Sequence, residues 1–368
     1  MPYNNFLYKK LKIALPVWTV ICPLIGLFLL GTARPDMSGW VAALLGLALI
    51  STVLSAVHHA EVVAHRVGEP YGTIILALAI TVIEVSLIVS MMLADGGKGS
   101  ALARDTVFAA IMLILTGIIG LCLLLGGYRY REQAFVKQGV SASLVTVTAI
   151  SILTLVLPNY TTSEPGPFYS TSQLVFVAII SLVLYTGFIA VQTVRHRDYF
   201  LPEEDAGGEQ AHAAPPSRLT TFCSLALLVV SLAVVVLLSK KLSPTIESIV
   251  ANLGAPKSLV GIIIAAVILL PEGLAAIRAA RKNRLQTSLN LALGSALASI
   301  GLTIPAVAIV CYFTGMTVTM GIDTKSTLLL ILSLFTISIS FGAGRTNILQ
   351  GVVLLVILAT YLFTTVVP

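Results

Sequence analysis

Long apolar stretches alternate with short polar connectors along almost the whole chain. Eleven of them approach the roughly 20 residues that an α-helix needs to cross the hydrocarbon layer of a membrane. They lie near residues 12–31, 38–60, 72–93, 105–127, 139–157, 172–194, 220–239, 258–277, 286–313, 326–343 and 347–367. The strands of a membrane barrel would be about ten residues long with alternating polarity, a pattern that is not seen. The pattern therefore predicts an all-α polytopic membrane protein with about 11 transmembrane helices.

The composition supports a membrane protein. Hydrophobic residues make up 57% of the chain and charged residues only 10%, whereas soluble domains contain about 25% charged residues. The net charge of +6 is not gathered in a basic patch of a soluble domain, so we expect a lipid bilayer and no nucleic acid as partner. The four cysteines (Cys22, Cys122, Cys223 and Cys311) lie in or beside apolar stretches without a CxxC pair, which favours neither a disulfide framework nor a zinc site. No cofactor is predicted.

The connectors predict the topology. Most of the 22 lysines and arginines fall on the side of the N-terminus, which is therefore expected to be cytoplasmic. When the first helix is set aside, the longest polar segment divides the other ten spans into two blocks of five. Because five is odd, the blocks insert with opposite orientations, as in many inverted-repeat membrane proteins. We predict a tail and first helix at 1–37, one five-helix repeat at 38–194, an acidic cytoplasmic linker at 195–219 and a second five-helix repeat at 220–368.

Two glutamates, Glu84 and Glu272, lie deep inside apolar stretches. A charged side chain at the bilayer centre costs at least about 2.5–3.5 kcal/mol on insertion scales, and such residues usually mark an ion path. Each glutamate lies in the second helix of its block, so inverted repeats would bring both to a similar depth. Two carboxylates in a low dielectric repel each other and take up protons readily, and one divalent cation neutralises the pair. We expect them to form one site for metal cations and protons.

Polar and helix-breaking residues surround both glutamates. Thr81 and Ser86 flank Glu84, while Pro271 and Gly273 flank the second glutamate. Proline removes a backbone donor, which frees a nearby carbonyl oxygen. Hard cations bind to carboxylate, carbonyl and hydroxyl oxygens, so these neighbours are candidate ligands.

The next helix of the second block adds small and polar residues, largely four apart on one face. They are Asn290, Gly294, Ser295, Ser299 and Thr303. We expect Asn290, Ser295 and Ser299 to join the ligand shell, although such a face also serves helix packing. The counterpart in the first block is poorer, with Thr116, Gly117 and Gly120.

Titratable residues also cluster where the second span meets the cytoplasm. The cluster contains His58, His59, Glu61 and His65. Histidine titrates near neutral pH and binds metals, so a role in admitting protons or sensing pH, an interfacial polar cap and a metal site all stay open. The spacing is not the HExxH of a zinc hydrolase. Glu69, in the turn before the third span, is expected to draw cations inward from the cytoplasm.

Five segments carry a resemblance to a known family. They are residues 57–73, 84–88, 271–274, 290–303 and 344–347. They resemble the bacterial calcium/sodium-potassium–proton antiporter branch of the calcium:cation antiporter superfamily. The resemblance implies a fold of one plus five plus five helices, in which Glu84 and Glu272 form the cation and proton site. The wider superfamily has Gly-Asn a few residues before each glutamate, where this chain has Ile80-Thr81 and Ile268-Leu269.

The resulting prediction is a secondary active cation/proton antiporter, not an enzyme. It would exchange Ca²⁺, Na⁺ or K⁺ for protons by alternating access across a bacterial inner membrane, with the two glutamates alternately binding metal cation and protons. Three alternatives stay open: a metal-binding protein or enzyme built on the histidine cluster, a passive cation channel, and a scaffold. The physiological cation and homo-oligomerisation are also left open.

Overall fold

The computed structural model describes residues 15–32, 39–68, 71–94, 98–201, 216–252 and 254–367. This part of the chain folds into eleven helices. They are α1 (Val17–Thr32), α2 (Gly39–Val67), α3 (Tyr71–Ala94), α4 (Leu102–Tyr130), α5 (Lys137–Tyr160), α6 (Thr171–Arg195), α7 (Arg218–Asn252), α8 (Ser258–Ala280), α9 (Leu285–Thr314), α10 (Thr324–Ser340) and α11 (Ile348–Val366). Four short strands accompany them, namely β1 (Lys98–Ser100), β2 (Glu132–Ala134), β3 (Thr317–Val318) and β4 (Arg345–Asn347).

The helices confirm the predicted class of a polytopic membrane protein. Eight of those described are long and apolar enough to cross a membrane, and shorter apolar helices lie at Val17–Gly31, Ile75–Val89 and Thr324–Ser340. The main difference concerns α7, whose predicted apolar stretch ends near residue 239. The helix continues through Lys240, Lys241 and Pro244 to Asn252, because hydropathy reports the span in lipid and not the length of the helix. Glu69 and the acidic part of the predicted linker lie outside the described residues.

Several helix ends carry recognisable caps. At the start of α6, the Ser170 hydroxyl accepts the amide of Gln173, whose side chain in turn accepts the amide of Ser170. Asn347 and Gln350 repeat this capping box at the start of α11. Such boxes satisfy amides that have no intrahelical acceptor. The end of α9 is capped by Gly315, which adopts the left-handed conformation (φ 68°) that glycine tolerates best.

Two small sheets join connectors of the two predicted repeats. β1 pairs in parallel with β3, and β2 pairs antiparallel with β4. In each sheet the two paired connectors are separated by six helices along the chain. Because an even number of spans returns the chain to the same side, each sheet joins connectors that the alternating topology places on one side of the membrane. The pairing therefore agrees with spans that cross the membrane in alternating directions.

The chain forms two compact units, residues 1–83 with 206–246 and residues 84–205 with 247–368. Each unit therefore draws on both predicted repeats. In the first unit, α1 packs against α2. A side chain added at Gly26 of α1 would lie 2.9 Å from Val234 and 3.2 Å from Leu238 of α7, and 3.1 Å from Thr52 of α2. This glycine lets the three helices approach closely.

The second unit is built around α4, α8 and α9. α8 packs against α4 and α9, α9 packs against α5 and α6, and α11 packs against α4. Glycine permits the last contact, since a Cβ at Gly351 would lie 2.5 Å from the amide nitrogen of Leu124. α4 contains a π-helical turn at Leu113–Ile118, and a Cβ at Gly273 of α8 would lie 3.3 Å from Ile118 within it. Such turns often occur at functional sites.

Candidate functional site

Glu84 lies in the middle of α3, 13 residues after the start of the helix and ten before its end. Its side chain is buried, with 3% of its surface exposed, and its neighbours Ile83, Leu87 and Ile88 are buried as well. Burying a carboxylate among apolar side chains is unfavourable unless the carboxylate is hydrogen-bonded, protonated or bound to a cation. The position of Glu84 therefore requires a partner.

Ser299 of α9 supplies such a partner. Its hydroxyl donates a hydrogen bond of 2.5 Å to Oε1 of Glu84, between residues 215 positions apart. Thr303, one turn further along α9, is fully buried, and its hydroxyl faces the same carboxylate. The structure thus brings together Glu84 and Ser299, which the sequence assigned to one site.

Glu272 occupies the corresponding place in α8, 14 residues after the start of the helix and eight before its end. Both of its carboxylate oxygens are buried. Its neighbour Gly273 packs against the π-helical turn of α4, and Pro271 removes the amide that would bond to the carbonyl of Val267. α3 thus bonds to α9, the third helix of the second predicted repeat. α8 packs on α4, the third helix of the first predicted repeat. Inverted repeats require such a reciprocal arrangement.

Three other predicted ligands lie on the same helices. The hydroxyl of Thr81 donates to the carbonyl of Ala77 in α3 at 2.9 Å, so it is already bonded within its own helix. Ser86 on α3 and Ser295 on α9 are half-buried, and Ser295 lies one turn before Ser299. The ligand roles of these three residues stay predictions.

Asn290 takes part in a different contact from the one predicted. Its amide donates to the carbonyl of Phe200 at 2.5 Å, and its oxygen accepts from Gln286 at 2.9 Å. Gln286 in turn accepts the amide of Val136 at 2.7 Å. Asn290 precedes Ser299 by nine residues, roughly 13 Å along the helix axis. In this conformation its side chain joins α9 to the start of the segment after α6, and its ligand role stays a prediction.

The histidine cluster divides into a buried and an exposed part. His59 is fully buried, and its Nε2 lies 3.1 Å from the carbonyl oxygen of Thr19 in α1. The half-buried His58 lies between the rings of His59 and Trp18, with centroid distances of 5.9 and 5.7 Å. Glu61 and His65 are exposed on α2. The described residues contain no group of three or more His, Cys, Asp or Glu that could hold a metal ion, so the metal-site alternative gains no support.

One contact near the site was not predicted. A Cβ at Gly301 would lie 2.9 Å from Cβ of Tyr185, so α9 and α6 touch where Gly301 has no side chain. Gly301 lies between Ser299 and Thr303 in sequence but on the opposite face of the helix. The small-residue run around Ser299 indicates a close contact, but it does not identify α6 as the partner.

The fold and the two buried carboxylates define a multi-pass membrane protein with inverted repeats, each carrying one glutamate in its second helix. The chain belongs to the sodium/calcium exchanger protein family, whose profile matches residues 37–194 and 223–367.

Comparisons with individual proteins agree with this membership. The "Putative ionic transporter y4hA" of Sinorhizobium fredii (strain NBRC 101917 / NGR234) is 45% identical over 358 residues, which cover 96% of this chain and 97% of the relative. The "Sodium-potassium/proton antiporter ChaA" of Escherichia coli (strain K12) is 34% identical over 360 residues, covering 97% and 96%. The solved structure of native YfkE matches with a TM-score of 0.71 at 16% identity, covering 96% of this chain and 99% of that one. This structural likeness shows the fold.

Proposed function

We propose that the chain is a secondary active cation/proton antiporter that exchanges Na⁺, K⁺ or Ca²⁺ for protons by alternating access. The observation that carries the proposal is the hydrogen bond from Ser299 to Glu84. This bond supports the proposal because it joins a buried carboxylate of α3 to the hydroxyl-bearing face of α9. Membership of the exchanger family and 34% identity to a protein named as a sodium-potassium/proton antiporter support it.

The proposed mechanism follows from the cost of a bare buried charge. A carboxylate in an apolar environment is stabilised by a proton or by a metal cation. Glu84 and Glu272 therefore alternately bind the metal cation and protons, and the carrier changes conformation when the pair is neutralised. Because the empty, doubly charged pair is unfavourable, cation and proton movements stay coupled.

The other predicted ligands complete the proposed shell. Ser299 and Ser295 contribute hydroxyls from α9, Thr81 and Ser86 contribute hydroxyls from α3, and Pro271 exposes carbonyl oxygen in α8. Asn290 would join only in a state that releases its hydrogen bond to Phe200.

We further propose an arrangement in a bacterial inner membrane. Residues 1–37 form a cytoplasmic tail and first helix, 38–194 and 220–368 form the two repeats, and 195–219 form a cytoplasmic linker. His58, His59, Glu61, His65 and Glu69 then lie towards the cytoplasm, where protons and cations arrive. Single cysteines placed in the connectors of a cysteine-free variant would report this orientation by their labelling from either side with an impermeant reagent.

The proposal is tested in proteoliposomes that contain a trapped pH-sensitive dye. Na⁺, K⁺ and Ca²⁺ are added separately to the wild type and to the variants Glu84→Gln and Glu272→Gln. Glu164→Gln, at an exposed connector position, is the matched control. We expect at least one cation to drive proton movement in the wild type and the control, and neither site variant to support it. Exchange at wild-type rates in both site variants would contradict the mechanism, and cation flux without proton movement would indicate a channel.

A further inference from the structure

Most buried threonines in the described helices use their hydroxyl in the same way. Six of them donate to the carbonyl four residues earlier, at 2.5–2.9 Å. They are Thr52, Thr81, Thr106, Thr116, Thr154 and Thr365. This local bond satisfies a hydroxyl that is cut off from water, and it is available to any threonine inside a helix.

Thr303 differs from these six. The carbonyl four residues earlier belongs to Ser299, yet the buried Thr303 hydroxyl does not donate to it. The hydroxyl instead faces the carboxylate of Glu84. A buried hydroxyl that gives up the bond within its own helix is expected to gain a compensating contact in another state of the protein.

Thr303 adds a second hydroxyl beside the one that bonds to Glu84. The Ser299 hydroxyl is already donating to Oε1 of Glu84. Thr303 lies one turn further on the same face, and its two lone pairs remain available. The carboxylate oxygens of Glu84 on α3 and the hydroxyl oxygen of Thr303 on α9 are the kind of oxygen donors that hard cations select.

We infer that the hydroxyl of Thr303 is a direct ligand of the dehydrated metal cation when that cation occupies Glu84. The inference rests on the proposed antiport function and assigns one further oxygen to its site. The same hydroxyl accepts a hydrogen bond from Glu84 when the carboxyl group carries a proton, since a hydroxyl can donate or accept. Thr303 therefore contacts the site both when it holds the metal cation and when Glu84 is protonated. It is more important for the metal cation, which must replace its hydration shell with protein oxygens.

The first test is Thr303→Val, which removes the hydroxyl and keeps the shape of the side chain. We expect the half-saturating concentration of the exchanged cation (Na⁺, K⁺ or Ca²⁺) to rise about tenfold, while the maximal rate stays within about twofold. Thr303→Ser should restore the wild-type value, because it returns the oxygen. Thr154→Val is the matched control, since Thr154 is buried and bonded within its own helix.

A second variant keeps the inference testable if Thr303→Val does not fold. Thr303→Cys replaces a hard oxygen with a soft sulfur. We expect it to weaken binding of the exchanged cation, measured as a smaller cation-induced rise in melting temperature. It should also make transport more sensitive to Cd²⁺ than that of the wild type, whose own four cysteines set the background.

Unchanged half-saturation in Thr303→Val, or equal cation-induced stabilisation and Cd²⁺ sensitivity in Thr303→Cys and the wild type, would overturn the inference. An equal loss of maximal rate in Thr303→Val and Thr154→Val would show a packing role only and would also overturn it. These outcomes leave the antiport proposal intact, because that proposal depends on Glu84→Gln and Glu272→Gln. The two sets of variants therefore distinguish a failure of the inference about Thr303 from a failure of the antiport proposal.

Discussion

Pro23 follows Thr19 by four residues in α1, so the carbonyl of Thr19 lacks the amide donor that a helix normally supplies four residues later. Ser55 and His59, one turn apart on α2, both bond to this carbonyl, at 2.6 and 3.1 Å. Because a carbonyl can only accept, Nε2 of His59 must carry the proton in this contact. The buried histidine therefore replaces a helical hydrogen bond that proline removes, and it fastens α1 to α2.

This contact predicts that His59→Leu destabilises the protein. Losing this hydrogen bond should cost about 0.5–1.5 kcal/mol, because Ser55 still donates to the carbonyl, and His59→Gln, which keeps a donor group, should cost less. Thermal unfolding of the purified protein measures the difference, with His65→Leu at an exposed position as the control. A wild-type melting temperature together with a shifted pH profile of transport would favour pH sensing over this structural role.

Two glycines on α9 predict opposite outcomes for the same substitution. A Cβ at Gly301 would lie 2.9 Å from Cβ of Tyr185, whereas a Cβ at Gly294 would meet no atom within 4 Å. Gly301→Ala should therefore lower the melting temperature and weaken transport, since α9 must move away from α6 and carry Ser299 with it. Gly294→Ala should be neutral or stabilising by up to about 1 kcal/mol, because alanine favours the helix. Equal effects of both variants on stability and transport would contradict this contact.

The bond from Asn290 to Phe200 predicts the effect of Asn290→Leu. If the side chain mainly joins α9 to the segment after α6, the variant should lose about 1–3 kcal/mol of stability. Its half-saturating cation concentration should stay within about twofold of the wild type. Parallel measurements of unfolding and of exchange separate the two roles. A change in cation preference at unchanged stability would show that Asn290 reaches the site in another conformation.

Two ion pairs allow a matched comparison. Arg104 bonds to Asp105 at 2.8 Å and to the carbonyl of Gly321 at 2.9 Å, and the side chains of the pair are only 20% and 16% exposed. Arg345 and Glu132 are 3.8 Å apart and 73% and 63% exposed. Arg104→Gln should cost about 1–3 kcal/mol, because it leaves a mostly buried carboxylate without its counter-charge.

Arg345→Gln should cost less than about 1 kcal/mol, because water and salt screen an exposed pair. Chemical or thermal unfolding at low and high salt checks both values. The Arg345 variant should differ from the wild type less as salt increases, and the Arg104 variant should keep most of its deficit. The reverse order of the two losses would contradict the burial argument.

The eleven helices could be predicted because a membrane span must be apolar over its whole length. The same rule does not show where a helix stops outside the lipid, so the extension of α7 through Pro244 to Asn252 was not expected. β2 and β4 have three residues each, too few for a periodic pattern, and their pairing depends on segments far apart in sequence.

The α9 face shows where prediction of the site ends. Intervals of four place Ser295, Ser299 and Thr303 on one side of the helix, and this is a local property of the sequence. Whether a hydroxyl on this face bonds to the backbone carbonyl four residues earlier or to a distant carboxylate depends on the neighbouring helix. For this reason the bond from Ser299 to Glu84, and the turn of the Thr303 hydroxyl away from its own helix towards Glu84, are visible only in three dimensions.

The small sheets have a consequence for biosynthesis. Lys98 pairs with Thr317, and Gln133 pairs with Thr346. β1 and β2 are therefore synthesised more than two hundred residues before the strands with which they pair. Until then their amides and carbonyls must bond to water or to other chains, since an unpaired strand edge invites association. A chain cut within the connector between α6 and α7 should therefore mature only when both fragments are expressed in the same cell.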